Sequence, residues 1–410
     1  MTTTSIGSRT VRRLASSPLE PFVLPYITQL QEQGYCPETI RDHLQYMVHL
    51  SRWLTRTGRD LGDLSQAVLD RFWRYHTRPR KRVLKAPAGH RLLTLLRQAQ
   101  VTPPCEDLAR TPAQRLVVRF RRYLVEERGL SEWTIDAYGR HVRRFVTHQF
   151  GAGTASVSQI RARTVLDYVQ AYAHTHTPQD NGNVVTALRS FLRFLHYQGL
   201  IRADLASVIP PVARWQMAGL PKHLPAEAVR QVLDRCDQTT PVGQRDYAIL
   251  LLLARLGLRA GEVVALQLED VDWERSQITI RSKKGRGWAR LPLPTDVGKA
   301  LARYLRHGRP ACSCRQVFVR TLAPHVGFAP SGHISYLTRH ALRKAGVQSA
   351  RTNAHAFRHS LATTMLHHGA SLDEIGQVLR HQDPNTTALY AKVDLDALRR
   401  LAVPWPGGAQ

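Results

Sequence analysis

Apolar residues recur every three or four positions along most of this chain, the spacing that buries one face of a helix. Ile27 and Leu30 open the series, and after Gly34 it resumes as Ile40, Leu44, Met47, Leu50 and Leu54. Residues 21–75 and about 111–209 therefore read as helical. Pro103-Pro104 marks a boundary between them, and Pro210-Pro211 through Pro221 and Pro225 form a proline-rich linker. Beyond the linker, Val229, Leu233, Ile249, Leu252 and Leu253 belong to buried helices. A tight turn, Gly257-Leu-Arg-Ala-Gly-Glu262, leads into another helix with Val263, Leu266 and Leu268. Residues 277–281 and 288–293 read instead as two strands, joined by a basic hairpin tip at 282–287. Helices return at about 295–306 and 334–345. The expected class is mainly α with a small antiparallel β-sheet in the C-terminal domain (α+β).

Five segments follow from this pattern. Residues 1–18 are polar and expected to be disordered. Residues 19–102 form an additional helical domain, 110–209 a second helical domain, 210–222 a linker, and 223–403 the C-terminal domain. The two helical domains echo each other: Glu32-Gln-Gly34 and Thr39-Ile40 match Glu127-Arg-Gly129 and Thr134-Ile135 at a constant offset of 95. A duplicated four-helix module explains that match. Between its copies, the basic segment from His76 to Lys85 is either a solvated linker or a strap along a DNA backbone.

Charge narrows the partners. The 410 residues carry 58 Lys and Arg against 31 Asp and Glu, a net charge of +27. A GC-rich genome explains Arg over Lys but not this excess of cations, which points to a polyanion, most simply nucleic acid. Arg140, Arg143 and Arg144 line one face of a helix opposite Val142 and Phe145, placed for contact with phosphates. The five cysteines, Cys36, Cys105, Cys236, Cys312 and Cys314, have no paired pattern and fit a reduced cytosol. Cys312-x-Cys314 reads as free thiols, since no second ligand pair has zinc spacing. No metal site is expected. The N-terminus has no apolar signal core, and the longest apolar run, 247–254, is too short to span a bilayer. The chain is expected to be a cytoplasmic, nucleoid-associated protein with no membrane partner.

The chemistry concentrates in Thr352 to Lys392. His355 and Arg358 lie three apart at the start of an apolar-periodic run, so one helix face presents both. Gly369 ends that helix, and the capping box Ser371-x-x-Glu374 starts the next. Asp383-Pro-Asn-Thr386 then breaks the chain before a short helix carrying Tyr390, nine residues after His381. With 19 histidines and 50 arginines, chance supplies about two His-x-x-Arg pairs. Four occur, at His49, His141, His340 and His355, so the pair alone carries little. Order and spacing carry more: Arg259 on the turn, Lys284 at the hairpin tip, then His355, Arg358, His381 and Tyr390.

With those residues in order, the sequence resembles the tyrosine recombinase (phage integrase) family over about residues 110–400. The matching text is LGLRAGE, KKG in a β-hairpin, HAFRHSLAT, LRHQDPNTTALY and LPKHLPAEAV. The resemblance implies helical core-binding domains followed by the family's catalytic fold. It implies that Tyr390 attacks a DNA phosphate, giving a 3′-phosphotyrosyl link and a free 5′-hydroxyl. Arg259 and Arg358 would clamp the non-bridging oxygens, and Lys284 would protonate the leaving oxygen. His355 would assist proton transfer, His381 would hydrogen-bond the phosphate, and Glu262 would support the site. Bond energy stays in the phosphotyrosine, so no cofactor is implied. The partner would be double-stranded DNA with a specific inverted-repeat site, bound by a homotetramer, with accessory recombinases or bending proteins beside it. The implied role is integrase or transposase of a mobile element; a decayed DNA-binding protein and a type IB-like topoisomerase are the alternatives.

Two departures stand out. Arg380 occupies the position before His381 where the family usually has glycine, and either adds a phosphate contact or crowds the site. Lys283 stands beside Lys284, so the catalytic lysine is one of these two; Lys284 precedes the glycine, as the family pattern prefers, and Lys283 and Arg286 are candidate DNA contacts. The tail at 393–401 has the apolar spacing of a short helix that docks on a neighbouring subunit or packs on its own domain.

Overall fold

The computed structural model describes residues 8–76, 86–103, 111–151, 157–211, 223–281, 287–328, 332–349 and 352–393. It divides into two compact units, residues 103–216 as one, and residues 1–102 with 217–410 as the other.

The N-terminal part of the larger unit holds α1 (Ser8–Arg12), α2 (Glu20–Glu32), α3 (Pro37–Thr57), α4 (Gln66–His76) and α5 (Ala86–Gln98). Disorder over residues 1–18 does not hold for residues 8–18. There α1 packs on α3, and Leu14 is wholly buried in a core with Leu19, Leu44 and Phe72. The anchoring residues are few and widely spaced, too short a run for periodicity to reveal. Burial of each such leucine stabilises by about 1.5–3 kcal/mol, enough to fix one helical turn.

The smaller unit contains α6 (Pro112–Glu126), α7 (Glu132–Phe150), α8 (Ala162–Thr175) and α9 (Pro178–Tyr197). Thr111 and Gln114 form the capping box that starts α6, and Ser131 caps α7. Phe120, Phe145 and Phe191 are fully buried at its centre. The sequence-matched positions of these two helical segments have similar local settings. Gly34 and Gly129 follow α2 and α6 in the left-handed region, at φ +80° and +55°. Ile40 and Ile135 then lie buried in the first turns of α3 and α7.

The C-terminal part of the larger unit is built around α11 (Pro241–Arg255). Every residue from Ala248 to Leu253 is buried, so apolar side chains surround this helix on all sides. Around it are α10 (Ala226–Asp234), α12 (Ala260–Ala265), α13 (Thr295–Arg303), α14 (Gly332–Lys344), α15 (Ala354–His367), α16 (Leu372–Leu379) and α17 (Asn385–Ala388). The sheet has three antiparallel strands in the order β1 (Val271–Asp272), β2 (Gln277–Arg281) and β3 (Trp288–Pro292). Gln277 faces Pro292 and Arg281 faces Trp288, while Ile278 and Ile280 point into the core. β1, two residues long, is below what alternation can signal. Among the described residues, no helix is long and apolar enough to cross a membrane.

Gly257 turns the chain from α11 toward α12. Its φ is +56°, and a Cβ there would lie 2.7 Å from a Leu379 methyl and 3.1 Å from one of Leu361. Only glycine accommodates both the backbone and that approach. This turn fixes the position of Arg259, two residues on.

Candidate active site

Arg259 is the N-cap of α12, and Glu262 at its third position closes a capping box. One Glu262 oxygen accepts the Arg259 backbone N–H at 2.8 Å, and the other accepts Arg259 Nη1 at 2.9 Å. A second cation joins from α16: Arg380 Nη2 donates to Glu262 at 2.9 Å, and the Arg380 carbonyl lies 3.5 Å from Arg259 Nη2. Burial raises the Glu262 pKa, but the charge of Arg380 and the hydrogen bonds and charge of Arg259 outweigh it and hold the carboxyl below its ordinary range. Arg259, Glu262, Arg380, His381, Trp288 and Gln382 line a cleft of about 590 Å³.

Arg358 lies on α15 and is only 3% exposed. Its Nη1 donates to the Gly257 carbonyl at 2.5 Å and its Nη2 to the Leu379 carbonyl. One guanidinium thus ties the turn before Arg259 to the end of the helix before Arg380. Burial, then Arg259 and Arg380, pull its pKa down to about 9, still protonated at neutral pH.

Tyr390 follows α17 in a 3₁₀ turn and is 1% exposed, packed with Ala362, Ile375 and Leu379. Its hydroxyl and His359 Nδ1 are 2.8 Å apart. The His381 ring lies parallel to the Tyr390 ring at 6.4 Å between centroids, and His381 Nδ1 is 2.7 Å from the Thr387 hydroxyl. His355 is exposed, with its ring centroid 6.5 Å from that of His359. His381 belongs to both groups, lining the cationic cleft and flanking the buried phenol.

Residues 222–396 match the model of the phage integrase family, and residues 117–199 match the phage integrase N-terminal SAM-like domain. The chain is 40% identical to y4rA of Sinorhizobium fredii, an integrase/recombinase by name, over 97% of each protein. It is 31% identical over 283 residues to tyrosine recombinase XerD of Listeria monocytogenes, covering 68% of this chain and 94% of that one. The chain belongs to the phage integrase family. It is a tyrosine recombinase, an enzyme of site-specific recombination. It also shares its fold with XerH site-specific recombinase, solved on a palindromic difH substrate after cleavage; the TM-score is 0.55 at 18% identity, over 82% of this chain and 94% of that one.

Within this recombinase the sequence-predicted residues separate into three sets. Arg259, Glu262, Arg380 and His381 meet at the cleft, Arg358 and Tyr390 are buried beside it in sequence-distant helices, and His355 faces solvent. Lys283, Lys284 and Arg286 lie outside the described residues, as do residues 77–85 of the basic linker or strap segment and the tail beyond residue 393. Arg140, Arg143 and Arg144 are exposed on α7 in the smaller unit, opposite the buried Val142 and Phe145. Cys36, Cys236, Cys312 and Cys314 are free thiols. Among the described residues, no group of three or more His, Cys, Asp or Glu could hold a metal ion.

Sequence reasoning missed His359. It stands in the quoted phrase HAFRHSLAT, one residue after Arg358 and four after His355. Position i+4 shares a helix face with His355, which was the available signal. The structure puts His359, rather than His355, against the Tyr390 hydroxyl.

His381 also has a pH consequence. Burial, then the charges of Arg358 and Arg259, push its pKa down to about 4. The unfolded chain binds a proton near pH 6.5 that the folded chain refuses, so stability falls as pH drops from about 6.5 toward 4. Thermal melts of His381→Gln across that range are expected to show a shallower loss than the parent protein.

Proposed function

We propose that this recombinase cuts and rejoins duplex DNA through a 3′-phosphotyrosyl intermediate at Tyr390, as integrase or transposase of a mobile element. The observation that supports it most is the contact of His359 with the Tyr390 hydroxyl, next to a cleft walled by arginines. In the reaction, Tyr390 Oη bonds to the scissile phosphorus and its proton passes to His359 Nδ1. The bond to the 5′-oxygen breaks, and that oxygen takes a proton from Lys284. Arg259 donates to the non-bridging oxygens from the cleft wall. Arg358 supplies fixed positive charge behind them and holds both flanking turns. His381 donates from Nε2 to the phosphate while Thr387 holds its other nitrogen. Tyr390 is enclosed here, so its hydroxyl must be delivered into the cleft before attack. His355, exposed on the same helix, assists proton transfer at the rim.

The DNA site is an inverted repeat, and four copies of the chain assemble on paired sites, with accessory recombinases or bending proteins beside them. Arg140, Arg143 and Arg144 bind backbone phosphates, as do Lys283 and Arg286. The enzyme acts in the cytoplasm on nucleoid DNA. To test the reading, purified protein is mixed with sheared DNA of its host in EDTA, quenched in detergent, and the covalently held DNA is sequenced. Adducts clustered at one inverted repeat support it. Scattered adducts favour topoisomerase chemistry, and tight binding without adducts favours a non-catalytic DNA-binding protein.

A further inference from the structure

Arg380 ends α16 at φ +56° and ψ +49°, a left-handed cap that glycine adopts without strain and arginine does not. Its side chain nevertheless folds back toward the cleft and is 13% exposed. Nη2 holds Glu262 at 2.9 Å, and Nη1 holds the Val378 carbonyl at 3.1 Å. Glu262, itself 10% exposed, is shared between Arg380 and Arg259. The Arg380 carbonyl closes the ring by facing Arg259 Nη2. Arg259 is the more accessible of the two cations, its side chain 40% exposed.

We infer that Arg380 is a positioning residue for the phosphate site: it fixes the Glu262 carboxylate, and through it the direction in which Arg259 presents its remaining donors. This rests on the reading of the cleft as the phosphate site. The alternative raised by sequence, a direct phosphate contact by Arg380, fits less well: its side chain is 13% exposed against 40% for Arg259, and both its terminal nitrogens point to protein acceptors, Glu262 and the Val378 carbonyl. A carboxylate held by one arginine can swing with it. Held by two from different helices, it becomes a fixed post, and a donor misplaced by about 1 Å costs on the order of 100-fold in rate.

Arg380→Gly is the informative variant, because its backbone suits the left-handed cap and the fold survives, as a melting curve checks. Three measurements decide the matter. In the free protein labelled with ¹⁵N-arginine, the Arg259 Nε–Hε signal, assigned through Arg259→Lys, is expected to shift or broaden in Arg380→Gly; an unmoved signal overturns the proposal. Binding of a random-sequence duplex is expected to keep its salt slope; a slope smaller by about one phosphate makes Arg380 a direct contact and also overturns it. Adduct yield on sheared host DNA is expected to fall about 10- to 100-fold in Arg380→Gly and in Glu262→Gln, with the double variant no worse than the poorer single. Unchanged yield in Arg380→Gly, or additive losses, overturn it. If the parent protein forms no adducts, the phosphotyrosine reading falls, while the Arg259 signal still decides whether Arg380 positions it.

Discussion

Tyr390→Phe is expected to leave no covalently attached DNA at all, while the protein still folds and still binds duplex. The change deletes one oxygen, the atom proposed to bond to phosphorus, and no general acid, base or arginine can replace it. Its structural cost is small. The ring stays buried against Ala362, Ile375 and Leu379. The hydroxyl's contact with His359 Nδ1 is a neutral hydrogen bond, worth about 1 kcal/mol. For a domain of this size that corresponds to a melting shift of about 2–4 °C. The assay is detergent-resistant capture beside a melting curve and a binding titration. Residual adducts at even a few per cent of the parent level would place the nucleophile elsewhere and sink the assignment. Loss of adducts together with loss of folding would be uninformative for most buried tyrosines, but the small size of this deletion makes that outcome itself a contradiction of the observed packing.

The contrast between Tyr390 and Arg380 shows what a sequence makes legible. Tyr390, Arg259, Arg358 and His381 stand out through order and spacing, because a fold that brings distant helices together leaves fixed intervals in the chain. The helices themselves are legible through apolar periodicity: α3 through Ile40, Leu44, Met47, Leu50 and Leu54, and α16 through its capping box at Ser371 and Glu374. The hairpin is legible through the change of period at Gln277. What fails to register is contact across the fold. Nothing in the sequence says that the Arg380 side chain turns back to Glu262, since the two lie 118 residues apart and meet through a side-chain contact across the fold. His359 is hidden for a different reason. It shares a helix face with His355, and only the path of the chain after Asp383 decides which of the two meets Tyr390. The docking of α1 on α3 and the burial of Leu14 after it are hidden because one turn is too short to show a period.

Arg358→Ala is expected to damage both stability and chemistry, unlike Tyr390→Phe. Its guanidinium bridges the carbonyls of Gly257 and Leu379 from a site 3% exposed, so truncation leaves two buried acceptors without this donor. At about 1–3 kcal/mol for each unsatisfied group, less the relief of a buried cation near Arg259 and Arg380, the net loss is about 2–4 kcal/mol. Loss of the positive charge proposed to stand behind the phosphate is expected to lower the adduct-forming rate by on the order of 10³-fold. Arg358→Lys separates the two effects. An ammonium restores the charge but does not span both carbonyls as a planar fork does, so it regains part of the charge effect and little of the turn geometry. Arg358→Met removes the charge at similar length and gives an independent check through His381. The charge of Arg358 is the largest contribution after burial to the low His381 pKa. Without it the folded-state pKa rises toward the ordinary histidine value, so the acid-side loss of stability between about pH 6.5 and 4 becomes shallower. Melts of Arg358→Met that lose stability at neutral pH yet keep the parent's full acid slope would show that the two side chains do not communicate, and that the buried arginine does not act on the phosphate site as proposed.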